Sequence, residues 1–209
     1  MRKVFLIVNN MVLNNIDYLT DELVDTKRLT RPLSIEGEEI AKKISLNESF
    51  SDVSSIYSSS FSSALQTAKY LSSKLSLTIN INKAFNERII GKNNSKFSFQ
   101  YFKETQEHDF DFKLPAGESF NDTKKRMNSA LIKTLKINQD PYIAIFTHTM
   151  AVKALLSNYT DINYNLDDDL IINYNDKVIC TDSVYTIIEL CFNENLDLIN
   201  IENININEK

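Results

Sequence analysis

The sequence predicts an α/β protein in which helices cover both faces of a mostly parallel central sheet that has an antiparallel edge. The apolar runs Val4 to Val8 and Tyr142 to Phe146 are typical of parallel strands buried on both faces. The stretches Ser183 to Phe192 and Leu196 to Asn205 alternate around a turn, which indicates a closing hairpin. Strands interleaved with helices and followed by a hairpin indicate a three-layer α/β/α sandwich.

The helices are predicted from their caps and from the spacing of apolar residues. Ser34 precedes two glutamates and then lysines, as at a capped helix start, and Ser119 is predicted to cap a helix that continues to Lys136. Apolar residues also recur on one helical face of Ser59 to Leu75. The remaining short strands are predicted at Ser54 to Ser58 and at Thr78 to Asn82.

One domain is expected over residues 1–209, because the chain is long enough to bury one sizeable core. Lys92 to Leu114 is charged and aromatic, and it is predicted to be a helical insertion over one edge of the sheet; whether it covers a pocket stays open. His108 in this insertion is predicted to be solvated. Met11 to Arg31 is predicted to be mostly loop, and Asn158 to Lys177 an Asn- and Asp-rich connection.

The composition argues against two classes of partner. A net charge of −5 and a pI near 5.2 do not favour a nucleic-acid surface. The opening apolar run is broken at Asn9 and Asn10, so it is too short for a signal peptide or a membrane span. Cys180 and Cys191 lack metal-ligand spacing and are predicted to be reduced, buried thiols of a cytoplasmic protein.

The junction Thr147-His148-Thr149 is the stretch most suggestive of a site. It lies between a predicted strand and a predicted helix, Ala151 to Leu156, and either threonine could cap that helix. Helix N-termini at the carboxyl edge of an open sheet bind anions. His148 is therefore either a functional group or a histidine that only hydrogen-bonds within a packed strand end.

Five blocks of the sequence agree in order and spacing with one known family. Ile56 to Leu71 (IYSSSFSSALQTAKYL) resembles its Y-S-S-P-L-x-R-A-x-Q-T-A signature, and Ile145 to Leu155 (IFTHTMAVKAL) resembles V-x-T-H-G-x-x-x-R-x-L. The other three blocks are Leu33 to Ala41, Phe85 to Gly91 and Gly117 to Arg126. Together they resemble the histidine phosphatase superfamily, also called phosphoglycerate-mutase-like.

The resemblance implies a phosphoryl-transfer site at the junction described above. In that family a histidine at the end of the first strand takes a phosphoryl group onto its ring nitrogen. Arginines and the later histidine hold the phosphate oxygens, and a carboxylate protonates the leaving group, because this chemistry needs an in-line nucleophile and concentrated positive charge. Neither a metal nor an organic cofactor is implied. Gly117-Glu118-Ser119 and Arg126 are expected to be structural, as a helix start with its ion pairs.

The chain departs from the family pattern at the residues that carry this chemistry. Asn9 stands at the position of the nucleophilic histidine, and an amide has no basic nitrogen lone pair with which to accept a phosphoryl group. The remaining substituted positions of the phosphate pocket are Val8 and Ser63, which replace arginines, and Asn10 and Thr149, which replace glycines. His148 and Glu87, at the mutase-type acid position, are retained; Glu87-Arg88 could equally form a loop salt bridge.

These departures favour a non-catalytic member that acts by binding an unidentified protein or a small ligand that is not strongly anionic. Little or no thermal shift with phosphate is then expected. One alternative is a weak phosphomonoesterase with a repositioned site that uses His148 and Glu87. Another is a different hydrolysis in which the same two residues form an acid–base pair. The sequence names neither the partner nor the oligomeric state.

Other basic residues could restore the missing charge. The candidates are Arg2, Arg28, Arg31 and Lys153. Lys153 lies one helical turn after His148, and it is predicted to point outward.

Overall fold

The computed structural model describes residues 1–13, 24–92, 99–165 and 169–206. Within these residues the strands are β1 Arg2–Asn9, β2 Ser55–Ser58, β3 Ile79–Ile81, β4 Tyr142–Thr147, β5 Asp161–Tyr164, β6 Leu170–Tyr174, β7 Lys177–Cys180, β8 Tyr185–Phe192 and β9 Leu198–Asn203. The α-helices are α1 Val24–Thr30, α2 Ile35–Leu46, α3 Ser62–Leu75, α4 Phe99–His108, α5 Phe120–Ile137 and α6 Thr149–Leu156.

The central sheet has six strands in the order β3-β2-β4-β1-β8-β9. The first four run parallel, whereas β8 pairs antiparallel with β1, and β9 pairs antiparallel with β8. This confirms the predicted mostly parallel sheet with an antiparallel edge. Val8 pairs with Thr147 and Asn9 with Tyr185, so the carboxyl ends of β1 and β4 meet at one edge.

Successive residues of β1 enter two different cores, because neighbouring side chains of a strand point to opposite faces. Val4, Leu6 and Val8 pack in the core that contains residues of α5 and α6. Phe5 and Ile7 pack in the second core, with residues of α2 and α3. Helices therefore cover both faces of the sheet, as the unbroken apolar strands predict.

The prediction that Asn158 to Lys177 is only a connection is wrong. Most of the described residues of this region belong to a second, three-stranded antiparallel sheet in the order β5-β6-β7. Leu170 and Ile172 are fully buried and join the core beside α6. The strands are short, and Asp161, Asn163 and Asn173 within them have a weak local preference for strand, which packing against the core outweighs.

Two serines cap helices as predicted. Ser34 Oγ accepts a hydrogen bond from the Gly37 N–H at 3.1 Å, at the start of α2. Ser119 forms a capping box with Asp122 at the start of α5. Gly37 is required by close approach, because a Cβ atom there would lie 2.0 Å from the Met11 carbonyl oxygen. The start of α2 is thus packed directly against the chain that leaves β1.

The predicted insertion contains α4, and its residues 93–98 lie outside the described part of the chain. Phe102 of α4 is buried, and the guanidinium of Arg88 lies 5.2 Å from the centre of its ring. His108 is exposed, as predicted, and its ring stacks on Tyr164 with centroids 5.0 Å apart.

Both cysteines are free and buried, as predicted. The Sγ of Cys191 donates to the Glu189 carboxylate at 3.2 Å. Among the described residues, no helix combines the length and the apolar character that crossing a bilayer requires.

Candidate functional site

A polar cavity of about 190 Å³ lies at the edge where β1 and β4 end. Five of the seven site residues proposed from the sequence line it: Asn9, Asn10, Ser63, Glu87 and His148. The other described residues in its wall are Val12, Arg28, Arg31 and Phe61. Because open α/β sheets bind ligands at this edge, the cavity is the candidate site.

Asn9 ends β1, and its amide is engaged on both sides. Nδ2 donates to the Gly37 carbonyl oxygen at 2.8 Å, and Oδ1 accepts from the Met11 N–H at 3.1 Å. The close packing of Gly37 against Met11 brings these two backbone groups together. Asn9 therefore fixes the start of α2 against β1 and leaves no nucleophilic atom at the cavity.

His148 is the N-cap residue of α6, at the point where β4 delivers the chain to the helix. Its Nε2 lies 2.7 Å from Ser59 Oγ, and Ser59 Oγ also accepts from the Phe61 N–H. Burial lowers the pKa of His148 to about 4; Glu87 opposes the shift, and nearby arginines, first Arg28, reinforce it. The imidazole is therefore neutral at pH 7.

Glu87 forms the cap of α6. Its carboxylate accepts backbone hydrogen bonds from Met150 at 3.1 Å, Ala151 at 2.9 Å and Arg88 at 2.7 Å. Burial raises the pKa of this carboxyl, but electrostatic interaction with His148 and Arg28 and the hydrogen bond from the Arg88 N–H outweigh burial, so the pKa is lowered. A buried carboxylate held ionised by three N–H groups is a poor proton donor at neutral pH.

The two threonines beside His148 do not cap the helix, which corrects the prediction. Thr147 Oγ1 donates to the Phe85 carbonyl oxygen at 2.7 Å, and Thr149 Oγ1 donates to Asn10 Oδ1 at 3.0 Å. Glu87 already occupies the first N–H groups of α6 from a distant loop, so the hydroxyls are left for other partners. Thr149 and Asn10 thus tie α6 to the end of β1 at the rim of the cavity.

Arg28 and Arg31 bring positive charge to the cavity from α1 and the segment after it. Ser63, where the resemblance implies an arginine, lies in the first turn of α3 and also lines the cavity. The sequence named the two arginines among four basic candidates but gave no reason to prefer them. The one feature of the sequence that marks them is that they lie three positions apart, just before the helix that Ser34 caps.

Asp25 anchors α1 beside the cavity. Its carboxylate accepts from the N–H groups of Ile90 at 3.0 Å and Gly91 at 2.9 Å, and it pairs with Arg28 at 3.2 Å. Arg28 Nη1 also donates to the Arg88 carbonyl oxygen at 2.9 Å. The loop that carries Glu87 therefore also positions the helix that carries Arg28.

Three other residues that the sequence analysis considered for the pocket do not line the cavity. Val8 is 1% exposed and packs in the core, so it does not present apolar surface to the cavity. Arg2 binds the Asn138 carbonyl oxygen and Gln139 near the start of β1. The prediction that Lys153 points outward is wrong, because its side chain is fully buried and its Nζ lies 2.6 Å from Asp182.

The structural role expected for Glu118 and Arg126 agrees with their contacts. Arg126 forms a two-point ion pair with Glu118, with both N–O distances at 2.6 Å. Its Nη1 also donates to the carbonyl oxygens of Ala84 and Asn86. The start of α5 thus fixes the loop from which Glu87 reaches α6.

The depressed pKa of His148 should make folding stability depend on pH. Between the ordinary histidine pKa of 6.5 and about 4 the unfolded chain binds the extra proton, so stability is lost as the pH falls through this window. We expect the free energy of unfolding to be about 1 kcal/mol lower at about pH 5.5 than at about pH 7.5. Chemical denaturation in phosphate-free buffer measures this difference in the free energy of unfolding.

The matched control is the exposed His108. The variant His108→Gln should retain the pH dependence of stability, whereas His148→Gln should lose most of it. An unchanged dependence in His148→Gln would contradict the assignment.

Comparisons with known proteins agree with the fold. Residues 24–181 match the histidine phosphatase superfamily (branch 1). The α-ribazole phosphatase from Shigella flexneri superposes with a TM-score of 0.67 at 15% identity, covering 96% of both chains. A mycobacterial glucosyl-3-phosphoglycerate phosphatase superposes with a TM-score of 0.64 at 13% identity, covering 97% of this chain and 96% of that one.

No curated protein matches this chain closely enough to serve as a relative. At 13–15% identity the solved structures indicate a shared fold and carry no residue roles to this chain. The family match, in contrast, spans well over half of the chain and includes α3, β4 and α6. The chain therefore belongs to the histidine phosphatase superfamily (branch 1).

Proposed function

We propose that the protein is a non-catalytic member of its superfamily that binds a small phosphate-type anion in the cavity without transferring the phosphoryl group. The observation that carries the proposal is the combination of two arginines with an asparagine at the nucleophile position. Hydrogen bonds from a charged donor to phosphate are each worth about 1.5–3 kcal/mol. The arginines therefore support binding, and Asn9 removes the covalent step.

The lining of the cavity carries more positive than negative charge. Among the described lining residues, Arg28 and Arg31 are cationic, Glu87 is the single carboxylate and His148 is neutral; Arg28 also pairs with Asp25, which lies outside the lining. The Glu87 oxygens already accept three backbone N–H bonds, which offset part of the repulsion toward an anion. On these contacts we propose an anionic ligand, whereas the sequence alone favoured one that is not strongly anionic.

The alternative of a repositioned phosphomonoesterase has less support. His148 Nε2 is engaged by Ser59, and the three donors on Glu87 hold it ionised, so neither group is placed as a free nucleophile or acid. The same engagement counts against an acid–base pair for another hydrolysis. A chromogenic phosphate-ester assay separates the phosphomonoesterase from simple binding and from the other hydrolysis.

Thermal melting with tungstate or inorganic phosphate, together with hydrolysis of p-nitrophenyl phosphate, tests the proposal. At about one hundred times Kd, a bound anion should stabilise the fold by about 2.7 kcal/mol, or roughly 5–10 °C. Hydrolysis should stay at the buffer rate. Absence of a melting shift would contradict anion binding, and turnover that disappears in His148→Ala would contradict the non-catalytic assignment.

A further inference from the structure

A cavity of about 510 Å³ lies between α5 and the edge of the central sheet. Its walls are formed by β2, by the segment that follows β3 and by one face of α5. It shares no described lining residue with the cavity of Arg28 and Arg31. Small-molecule sites typically enclose about 300–1,000 Å³, so this space is large enough for a bicyclic ligand.

One part of the wall is apolar and aromatic. Ala84 and Ala130 leave the space open because their side chains are small, and Ile137, which is 70% exposed, continues the apolar surface to the rim. The ring of Tyr57 is fixed in a T-shaped contact with Phe85, with ring centroids 6.3 Å apart. This part of the wall suits a flat, apolar ring that gains free energy by leaving water.

Arg126 offers the cavity a flat cationic face. Its Nε and Nη2 bind the Glu118 carboxylate, and its Nη1 donates to the carbonyl oxygens of Ala84 and Asn86, so four of its five N–H groups are occupied. Glu118 balances its charge and does not line the cavity. A guanidinium held along its edge in this way can still stack its face on an aromatic ring.

Lys133 supplies a positive charge that the wall does not balance. It is exposed on α5, about two turns after Arg126. Within the part of the chain that the structure describes, it makes no ion pair or side-chain hydrogen bond, and no carboxylate lines the cavity. The cavity therefore combines an apolar, aromatic surface with one uncompensated cation at its side.

This combination favours a ligand with one negative charge. A dianion such as a phosphate ester would find one available cation, because Glu118 already neutralises Arg126. An uncharged ring would bury its surface but make no ion pair with Lys133. An aromatic ring that carries one carboxylate matches both parts of the wall.

We propose that this cavity is a second ligand site, which binds a planar aromatic carboxylate. The ring lies against Tyr57, Arg126 and Ala130, and the carboxylate pairs with Lys133. The site does not depend on the anion binding proposed above, because the two cavities have no described lining residue in common.

Isothermal titration of the full chain with two matched probes tests the proposal. The probes are 2-naphthoate and naphthalene-2-carboxamide, which have nearly the same shape and differ in charge. We expect 2-naphthoate to bind about fivefold more tightly, the upper end of what an exposed ion pair contributes. Equal affinities of the two probes would overturn the proposal, as would the absence of binding by 2-naphthoate.

Three variants locate the bound probe. Lys133→Gln should remove the advantage of 2-naphthoate over the carboxamide, whereas Lys125→Gln, an exposed lysine of α5 outside the cavity, should leave both affinities unchanged. Ala130→Leu places a larger side chain in the cavity and should weaken both probes at least about tenfold. An advantage that persists in Lys133→Gln would overturn the proposal, whether or not Ala130→Leu folds.

A competition experiment separates this site from the anion cavity. Saturating tungstate should not change the affinity for 2-naphthoate, because tungstate is expected between Arg28 and Arg31. Displacement of 2-naphthoate by tungstate would place both anions in one cavity and overturn the second site. Failure of tungstate itself to bind would contradict only the anion binding proposed above.

Discussion

Replacing Asn9 by histidine should give the protein measurable phosphatase activity. Nδ2 of Asn9 donates to the Gly37 carbonyl oxygen at 2.8 Å. In a histidine, Nδ1 is likewise bonded to Cγ, so its N–H could make the same hydrogen bond and leave the Nε2 lone pair facing the cavity. The arginines that would hold the phosphate are already present.

The expected reaction has two steps. Nε2 attacks phosphorus while the P–O bond of p-nitrophenyl phosphate breaks and p-nitrophenolate leaves; water then hydrolyses the phosphohistidine. This leaving group needs no proton, so the ionised Glu87 is no obstacle. Because a nucleophile can be worth about a million-fold, we expect hydrolysis to exceed that of the unmodified protein by at least about a hundredfold.

The control for this substitution is Asn9→Gln, which keeps an amide and should stay inactive. Mass spectrometry of acid-labile phosphate should detect the modified imidazole in Asn9→His alone. If Asn9→His folds, binds tungstate and still shows no turnover, then the missing nucleophile is not what prevents catalysis.

Removing the arginine charge should abolish anion binding. We expect Arg31→Gln to weaken tungstate or phosphate binding by about 10- to 100-fold, because each charged hydrogen bond contributes about 1.5–3 kcal/mol. Arg28→Gln should have a similar effect and also lower basal stability, because Arg28 binds Asp25 and the Arg88 carbonyl oxygen. The double variant should show no melting shift with either anion.

Lys136→Gln is the matched control for these variants. Lys136 is exposed on α5 and does not line the cavity, so the variant changes net charge by the same amount without altering the site. Its melting shift should equal that of the unmodified protein. A double arginine variant that keeps the full shift would show that the anion binds elsewhere.

Local patterns account for most of the fold prediction. Buried parallel strands read as unbroken apolar runs, and serine caps act on N–H groups within their own turn, so both are visible in the sequence. The sequence analysis did not predict the strands β5 and β6, because packing against the core beside α6 stabilises them. A short polar strand has little local signal of its own.

Part of the lining of the candidate cavity was predictable from the sequence, and the roles of its residues were less so. The resemblance implied that Asn9, Ser63 and His148 lie near one another, and all three line the cavity, but it could not show that Glu87 caps α6 from a distant loop. That contact depends on how the loop fixed by Arg126 and Glu118 meets the helix.

The sequence by itself determined the α/β architecture, the family resemblance and the presence of Asn9 where that resemblance implies a histidine, because each is a matter of residue identity or local period. Only the tertiary structure decided that Arg28 and Arg31 reach the cavity, that Lys153 is buried and that Val8 belongs to the core. Those outcomes depend on which face of an element meets which neighbour. Packing decides which residues, far away in the sequence, a side chain contacts, and no local pattern encodes those contacts.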